Sequence, residues 1–397
     1  LMRIAAPPLG RTWGGLGRMA PRNVVTSLSR TAVAVAALMV AVSVTIGVSL
    51  MISSFRTTVV TWLDQVLRGD VYISAPSRTS TQATTPLDPA VLPLVVAWPG
   101  VERVDLLRTA TVESPDGPVS VFGVHNPSFG DRPFLSTDLS PEEIWTAMEN
   151  GAVVVSEPYA NLVSMPRRGG TVTLYTAEGP HEFPVAGIYY DYVTSSGTIS
   201  MSLDTYRRLW NDESLTALAI RLVPGADAGA VARELGDALA PVQRLFVRPN
   251  QALRQEALVI FDRTFAITGA LQLLATVVAF IGILSALLSL LLEKQREVGI
   301  LRAVGLTARQ LWGLIMLESG LMGAVAGLLA MPTGLALSVI LIYIINRRSF
   351  GWTLQMQVDA TPVLMALAVA VVAALLAGIY PAYKMSKMLS AEMLRYE

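Results

Sequence analysis

Four stretches of the 397-residue sequence contain no charged residue, and each is long enough to cross a lipid bilayer. They cover residues 31–55, 264–292, 319–346 and 360–383, and all are rich in Leu, Val, Ala and Ile. A helix needs roughly 20 apolar residues to span a hydrocarbon core about 30 Å thick. The whole chain is 52% hydrophobic and 15% charged, whereas soluble domains carry about 25% charged residues. Lipid is therefore expected to be part of the solvent of this chain.

The distribution of charge predicts the orientation of the chain in the membrane. Residues 57–262 hold 24 of the 30 acidic residues and no Lys, whereas residues 1–31 hold five Arg and no acidic residue. All three lysines follow the second or the fourth apolar stretch. Short basic flanks stay in the cytoplasm, while long loops cross the membrane largely regardless of charge. Both termini are thus expected in the cytoplasm, with the long acidic region outside.

The expected fold class is an α-helical membrane protein with four transmembrane helices and an α+β extracytoplasmic domain inserted between helices 1 and 2. The first segment combines a Gly/Pro/Arg linker over residues 1–20 with an amphipathic interfacial helix from Pro21 to Arg30. The predicted segments are a cytoplasmic linker and interfacial helix (1–30), a first transmembrane helix (31–54), an extracytoplasmic α+β domain with stalk helices at both ends (55–263), a second transmembrane helix (264–292), a cytoplasmic loop (293–310), a third transmembrane helix (311–346), a short extracytoplasmic loop (347–361), a fourth transmembrane helix (362–383) and a cytoplasmic tail (384–397).

Alternating apolar residues and turn sequences predict a mixed α+β fold for the outer domain. The predicted elements are a hairpin of residues 101–113 and 119–124, a second hairpin of 171–176 and 181–188, and a strand–helix–strand unit of 215–223, 226–240 and 244–247. Residues 249–262 run without a helix breaker into the second span, and residues 55–68 continue the first span outward. These two segments are predicted to be helical stalks.

The third span carries small residues at helical spacing. Gly320, Gly323 and Gly327 would allow a neighbouring helix to approach closely. The alternative is the ordinary richness of membrane helices in glycine. Pro332 is expected to kink this helix.

Catalytic, metal and cofactor sites are not expected in this chain. A P-loop needs Gly-Lys-Ser/Thr, and none of the three lysines follows a glycine. The chain has no Cys, and its two histidines, His125 and His181, are far apart in sequence. Charged residues are absent from the span centres, which disfavours secondary transport. Nucleic acid is not expected as a partner.

The cytoplasmic loop of residues 293–310 is predicted to contain a short amphipathic helix. Val298, Leu301 and Val304, or Ile300, form its apolar face, and the helix is expected to end near Gly305. One reading of such a helix is that it only anchors the loop at the membrane interface. The residues alone leave this reading open.

Three parts of the sequence resemble one family of membrane proteins. The loop contains QREVGILRAVGLTARQL, the chain ends in AGIYPAYKMSKMLSAEMLRYE, and the first span begins with RNVVTSLSRTAVAVAALMVAVSV. These runs resemble the FtsX-like ABC transporter permeases, the superfamily of MacB and LolE. The outer region resembles the MacB periplasmic core domain. The resemblance covers residues 20–397.

The resemblance implies that this chain is not itself an ATPase but a permease subunit of an ABC transporter in the bacterial cytoplasmic (inner) membrane. A separate ABC ATPase subunit would bind the loop and drive export or extraction of a lipoprotein, peptide, drug or lipid by mechanotransmission. The residues implied to contact the ATPase are Arg296, Glu297, Gly299, Ile300, Leu301, Arg302, Val304 and Gly305. The alternative is a regulatory relay that controls a cell-wall hydrolase or a sensor kinase outside the membrane. A third reading is a membrane-anchored scaffold without an ATPase.

The start of the sequence at Leu1 and the Gly/Pro linker resemble the second half of long, ten-span permeases of this superfamily. The expected partners therefore include membrane lipid and either a second permease copy or the other half of a longer permease.

Overall fold

The computed structural model describes residues 7–11, 13–26, 28–76, 83–192, 194, 196–293, 300, 302 and 304–387. The chain forms two compact units. The helical unit comprises Leu1–Phe55, Arg263–Ile344 and Met356–Glu397, and the outer unit comprises Arg56–Asp262 and Ile345–Gln355.

The elements alternate irregularly between helix and strand along the chain. The helices are α1 (Gly14–Thr26), α2 (Leu28–Val66), α3 (Val91–Val96), α4 (Pro141–Glu149), α5 (Glu157–Leu162), α6 (Leu203–Trp210), α7 (Ala228–Leu239), α8 (Asn250–Glu293), α9 (Ala308–Ile340), α10 (Arg347–Phe350) and α11 (Ala360–Lys387). The strands are β1 (Val71–Ser74), β2 (Val101–Ser114), β3 (Gly117–His125), β4 (Phe134–Ser136), β5 (Val153–Ser156), β6 (Thr171–Thr176), β7 (Gly179–Tyr189), β8 (Thr198–Ser202), β9 (Ala217–Leu222) and β10 (Phe246–Pro249). A 3₁₀ turn covers Pro127–Asp131, and a π-helical segment, Leu341–Asn346, joins α9 to α10.

Four helices in the described part of the chain are long and apolar enough to cross a membrane. They contain the segments Ala32–Val66, Asn250–Gly282, Ala308–Phe350 and Ala360–Lys384, and an 18-residue stretch of each has a mean hydropathy of 2.5, 2.0, 2.3 and 2.6, respectively. The predicted architecture of four spans with an inserted outer domain is confirmed. The helix of the third span continues through Pro332 as a single element.

The prediction of a linker up to residue 20 and a helix beginning at Pro21 is wrong. Helix α1 already begins at Gly14, and Pro21 lies inside it. Its buried residues are Gly17, Ala20, Pro21 and Val24, which is the spacing of one helical face. Because this face packs against α9, tertiary contact outweighs the poor helix propensity of Gly and Pro.

The core of the helical unit joins large side chains on one helix to small side chains on two others. Leu38, Val42, Ile46 and Leu50 are buried at every fourth position of α2. They share a cluster with alanines of α9 and α11, namely Ala326, Ala330, Ala366, Ala370, Ala374 and Ala377. In lipid, helix association depends on such close packing because burial of apolar surface supplies no driving force.

The outer unit contains one sheet in the order β10-β1-β9-β2-β3-β8-β5-β7-β4, and β6 pairs with β7. Both predicted hairpins are present, with longer strands than the sequence indicates: Ser114 pairs with Gly117, and Thr176 pairs with Gly179. These two glycines have φ of +106° and +114°, a conformation that favours glycine.

The predicted strand–helix–strand unit is present, but another strand lies between its two strands in the sheet. Strand β1 lies between β9 and β10 and is antiparallel to both. Strands β9 and β10 are therefore parallel to each other without being neighbours. Helix α7 packs on this part of the sheet, where its Leu235 and Leu239 join the buried Val71 and Ile73 of β1.

We expect Phe183→Ala to lower the free energy of unfolding by about 3–5 kcal/mol, because Phe183 is fully buried in the core around β7. The matched control is Val96→Ala, since Val96 is 58% exposed, and it should change stability by no more than about 0.5 kcal/mol. Denaturant unfolding of the purified protein in detergent measures both values. Equal effects of the two substitutions would contradict this core assignment.

Candidate functional site

The first and second spans extend outward as two helices that contact each other in antiparallel register. Within the spans, Gln272 Nε2 donates to Ser49 Oγ at 3.4 Å, and toward their outer ends the rings of Phe55 and Phe265 meet edge to face at 5.8 Å. Further out, Arg56 of α2 pairs with Asp262 of α8 at 3.3 Å. Arg254 of α8 forms an ion pair with Asp64 of α2. We call these outer parts of α2 and α8, residues 56–66 and 250–262, the stalk pair.

The outer end of the stalk pair is fixed by the side chain of Asn250, the first residue of α8. Its Nδ2 donates to the carbonyl oxygens of Leu67 and Gly69, both at 2.8 Å. Its Oδ1 accepts a hydrogen bond from Arg254 Nε at 2.7 Å. The chain then enters the sheet directly on both sides, since Val71 of β1 pairs with Pro249 of β10. The two stalk helices thus end on two hydrogen-bonded strands.

The glycines of the third span lie against α11. A Cβ on Gly323 would lie 2.7 Å from Ala374 Cβ and 2.9 Å from the carbonyl oxygen of Ala370. A Cβ on Gly320 or Gly327 would meet a leucine of α11. Real Cβ atoms do not approach other atoms this closely, so α9 and α11 need glycine at position 323.

The end of the third span and the first residues of the loop that follows it belong to the outer unit. We call residues 345–355 the clasp loop. Glu157 of α5 is 1% exposed, and its two carboxylate oxygens accept hydrogen bonds from Thr353 N at 2.9 Å and Thr353 Oγ1 at 2.6 Å. Asn161 of α5 donates from Nδ2 to the carbonyl oxygen of Gly351 at 2.5 Å. The two bonds to Glu157 are made by a buried carboxylate, which makes them costly to break.

Aromatic side chains surround these hydrogen bonds. Trp352 is only 7% exposed, stacks on Phe350 at 5.2 Å and meets Tyr192 edge to face at 5.8 Å. Tyr192 also contacts Trp62 of the stalk pair at 5.9 Å and donates to the carbonyl oxygen of Thr353 at 3.2 Å. Burial, and then the charge of Glu157, raise the pKa of Tyr192. The phenol therefore remains a neutral donor at physiological pH.

The predicted ATPase-contacting residues lie partly outside the described residues. Arg296, Glu297, Gly299 and Leu301 are among those not described, as is Val298 of the predicted apolar face. Of the others, Ile300 and Val304 are 51% and 83% exposed, and Val304 N donates to Ile300 O at 3.0 Å.

This helical turn ends at Gly305, whose φ is +109° and whose N–H bonds to Arg302 O at 3.0 Å. Helix α9 then begins with a capping box formed by Thr307 and Gln310. The side chains of Ile300 and Val304 are therefore exposed immediately before the third span. Among the described residues, no group of His, Asp and Glu is arranged to hold a metal ion.

Two family descriptions match this chain. The MacB-like periplasmic core domain matches residues 31–238, and the FtsX-like permease C-terminal domain matches residues 269–389. The chain belongs to the MacB/FtsX family of ABC transporter permeases. It is a multi-pass membrane protein, with the periplasmic core domain between its first and second spans.

Curated relatives agree with this family. An uncharacterized ABC transporter permease protein of Mycobacterium tuberculosis is 44% identical over 401 residues, which cover 100% of this chain and 47% of that protein. The macrolide export ATP-binding/permease protein MacB of Bdellovibrio bacteriovorus is 28% identical over 149 residues, which cover 37% of this chain and 22% of that protein. The chain thus spans less than half the length of these relatives.

Two solved structures align with about half of this chain at low similarity. The periplasmic region of MacB from Actinobacillus actinomycetemcomitans aligns with 49% of this chain and 95% of that structure, at 12% identity and a TM-score of 0.36. The extracellular domain of the ABC-type transporter YknZ from Gram-positive bacteria aligns with 46% of this chain and all of that structure, at 11% identity and a TM-score of 0.33.

Sequence reasoning predicted a short loop over residues 347–361 but missed the contacts of the clasp loop with α5. Glu157 and Thr353 are 196 residues apart in sequence, and neither lies in a recognisable motif. The one local signal is the pair of aromatic residues, Phe350 and Trp352, in a short loop between two spans. Large rings in so short a loop suggest that the loop packs on something.

We expect Thr353→Val to destabilise the docking of the clasp loop by about 1–3 kcal/mol, because it leaves a buried carboxylate oxygen without its hydroxyl donor. Thr353→Ser keeps the hydroxyl and is the matched control. Hydrogen exchange at residues 157–162 and 351–353 should rise in the valine variant alone. Unchanged protection in the valine variant would show that the hydroxyl contributes nothing.

We also expect Gly323→Val to separate α9 from α11, since its side chain would overlap Ala374 and the Ala370 carbonyl group. The cost should be about 1–3 kcal/mol or more, as for other overpacked sites. Gly269→Ala in α8 is the control, because a Cβ there meets nothing within 4 Å. Thermal unfolding in detergent compares the two. A valine variant as stable as the alanine control would refute the contact.

Proposed function

We propose that this permease couples ATP hydrolysis by a separate ABC ATPase to the movement of an extracytoplasmic substrate by mechanotransmission. The observation that carries this proposal is the continuity of α2 and α8. They contain 39 and 44 residues, which at about 1.5 Å per residue gives lengths near 60 Å, roughly twice the hydrocarbon thickness of a bilayer. Each helix includes both a span and a stalk, so a displacement at one end reaches the other.

In this proposal the loop of residues 293–310 receives the motion of the ATPase. The loop and both chain termini are placed in the cytoplasm of a bacterial cell. Glu297 and Arg302 would make polar contacts with the ATPase, and Ile300, Leu301 and Val304 would pack in its cleft. The exposure of Ile300 and Val304, at 51% and 83%, supports this role, because both apolar side chains are accessible for packing against a partner. The capping box at Thr307 would join the loop rigidly to the third span.

The output in this proposal is the outer unit. The stalk pair delivers the displacement to β1 and β10, which are hydrogen-bonded to each other and held by Asn250. The clasp loop adds the third and fourth spans as further attachments, because it is part of the outer unit while the residues on either side of it belong to the helical unit. The chain thus crosses between the units four times, once for each span. Rigid-element shifts of this kind are a common route of conformational coupling.

A second permease module would complete the transporter in this proposal. The apolar window of α8 has none of its residues buried within the described part of the chain. Such a surface suits lipid or another set of spans. This chain matches 47% of the length of the Mycobacterium tuberculosis permease, which supports a module that works with a second permease module.

The coupling assignment is tested by Glu297→Lys in the complex with the cognate ATPase. We expect the charge reversal to weaken complex formation and to lower ATP hydrolysis about tenfold or more, as for other close charge pairs at interfaces. Glu149→Lys, an exposed carboxylate of the outer unit, is the matched control. If the Glu297 variant binds the ATPase and supports hydrolysis as well as the control, the loop is not the coupling element.

Transmission of the displacement through α8 is tested separately by substitutions that lower the helix propensity of its stalk. Val259→Gly with Ile260→Gly alters two exposed positions of α8, at about 1 kcal/mol of helix propensity each relative to alanine. The matched control carries alanine at both positions. We expect the glycine pair to retain ATPase binding but to lose the ATP-dependent change in hydrogen exchange of residues 83–249. An unchanged ATP response in the glycine variant would contradict mechanotransmission through α8.

A further inference from the structure

Two arginines, Arg347 and Arg348, lie at the outer end of the third span, where the positive-inside rule predicts few basic residues. The helical segment Ala308–Phe350 contains both the span and these arginines. The charge-free stretch of 28 residues before Arg347 has a helical length of about 42 Å, since each residue adds about 1.5 Å. The hydrocarbon core and the headgroup layers together are about 40–45 Å thick. This length places the two arginines in the headgroup layer.

Neither arginine has a carboxylate partner in the described part of the chain. Arg348 is exposed, and its side chain makes no hydrogen bond or ion pair with a described residue. Arg347 is also exposed, and its Nη2 donates to the neutral amide oxygen of Asn161 at 3.4 Å. By contrast, Arg56 at the outer end of the first span pairs with Asp262 at 3.3 Å. The two guanidinium groups of the third span therefore keep most of their N–H donors available for a ligand.

Exposed apolar side chains accompany these arginines. Ile345 and Phe350 are 48% and 47% exposed. Ile345 lies three residues before Arg348, and Phe350 lies three residues after Arg347, so each arginine has an apolar neighbour on the helix surface. Cations in the last turn also favour a helix C-terminus, but that effect does not account for apolar side chains left exposed beside them. We call Ile345, Arg347, Arg348 and Phe350 the interfacial patch, because basic and apolar side chains together are typical of surfaces that lie among lipid headgroups.

The backbone that carries the interfacial patch is held in place by buried contacts. Asn346 is 7% exposed, and its Nδ2 donates to the carbonyl oxygen of Trp352 at 3.0 Å. Asn161 fixes the carbonyl group of Gly351, the residue that ends α10 with a φ of +79°. The ring of Phe350 stacks on that of Trp352 at 5.2 Å. A ligand that binds here therefore does not have to order the segment first, which lowers the entropic cost of binding.

We propose that the interfacial patch binds the headgroup phosphate of an anionic phospholipid in the outer leaflet. Arg347 and Arg348 donate charge-assisted hydrogen bonds to the phosphate oxygens, whose geometry matches the paired N–H groups of a guanidinium. Ile345 and Phe350 contact the first methylene groups of the acyl chains. An anionic headgroup is preferred over phosphatidylcholine, because two unpaired guanidinium groups repel the quaternary ammonium group. The choice of leaflet rests on the orientation in the proposed function, whereas lipid binding itself is independent of the ATPase contact.

The chain has no cysteine, so one introduced thiol can report on this patch alone. The test uses the full chain with Ser349→Cys, an exposed position, labelled with a fluorophore and reconstituted in phosphatidylcholine nanodiscs. Nitroxide-labelled phosphatidylglycerol, or phosphatidylcholine with the same nitroxide, then replaces an increasing fraction of the lipid. We expect half-maximal quenching at about a tenfold lower mole fraction of the phosphatidylglycerol form, because each of the two arginines favours the anionic lipid. The same label on Ala360→Cys, beside Asp359 at the outer end of the fourth span, is the matched control and should show no such preference.

Charge removal in the labelled Ser349→Cys chain tests the same site from the protein side. Arg347→Gln with Arg348→Gln keeps both side chains polar and should remove the preference for phosphatidylglycerol. Arg233→Gln with Arg244→Gln removes the same charge from exposed positions in and after α7 and should leave the preference unchanged. The proposal is overturned if the label at position 349 responds equally to the two lipids, or if the Arg347 and Arg348 variant keeps the preference. Protection of this label from both nitroxides would show that protein covers the patch, and this result would overturn the proposal as well.

Discussion

The hydrogen bonds from Asn250 to the carbonyl groups of Leu67 and Gly69 are the point on which the rest of this architecture depends. A helix leaves its last carbonyl groups without partners, and here the first side chain of one stalk satisfies those just past the end of the other. The same residue leads into β10, which pairs with β1. One amide group thus aligns two helices and two strands, and it places the ends of both stalks in register with the sheet.

The helical unit follows a different rule, because lipid provides no hydrophobic driving force between helices. Its contacts rely on small residues: Gly323 of α9 faces Ala370 and Ala374 of α11, and Gly334 of α9 faces Ile46 of α2. Close packing of complementary shapes therefore holds the helices of the helical unit together, whereas burial of apolar surface holds the outer unit together. The outer unit keeps large fully buried rings, such as Phe183 and Tyr189, around a mixed sheet.

The clasp loop gives the outer unit a role that its sheet alone would not have. Through Glu157 and Thr353 it holds the loop between the third and fourth spans, so all four spans lead into it. The clasp loop does not use the coupling loop, and it involves residues of ordinary type whose importance comes from position.

Much of this protein followed from the sequence because the signals are local. The lengths of the apolar stretches fixed the four spans, the breaker-free run from residue 249 to 262 predicted a stalk, and glycines after turn residues located both hairpins. The tertiary structure alone decided that β1 separates β9 from β10, that α1 is helical through Pro21, and that Glu157 meets Thr353 across 196 residues. Such pairings depend on how distant surfaces fit, and no periodicity within one segment records the shape of its partner.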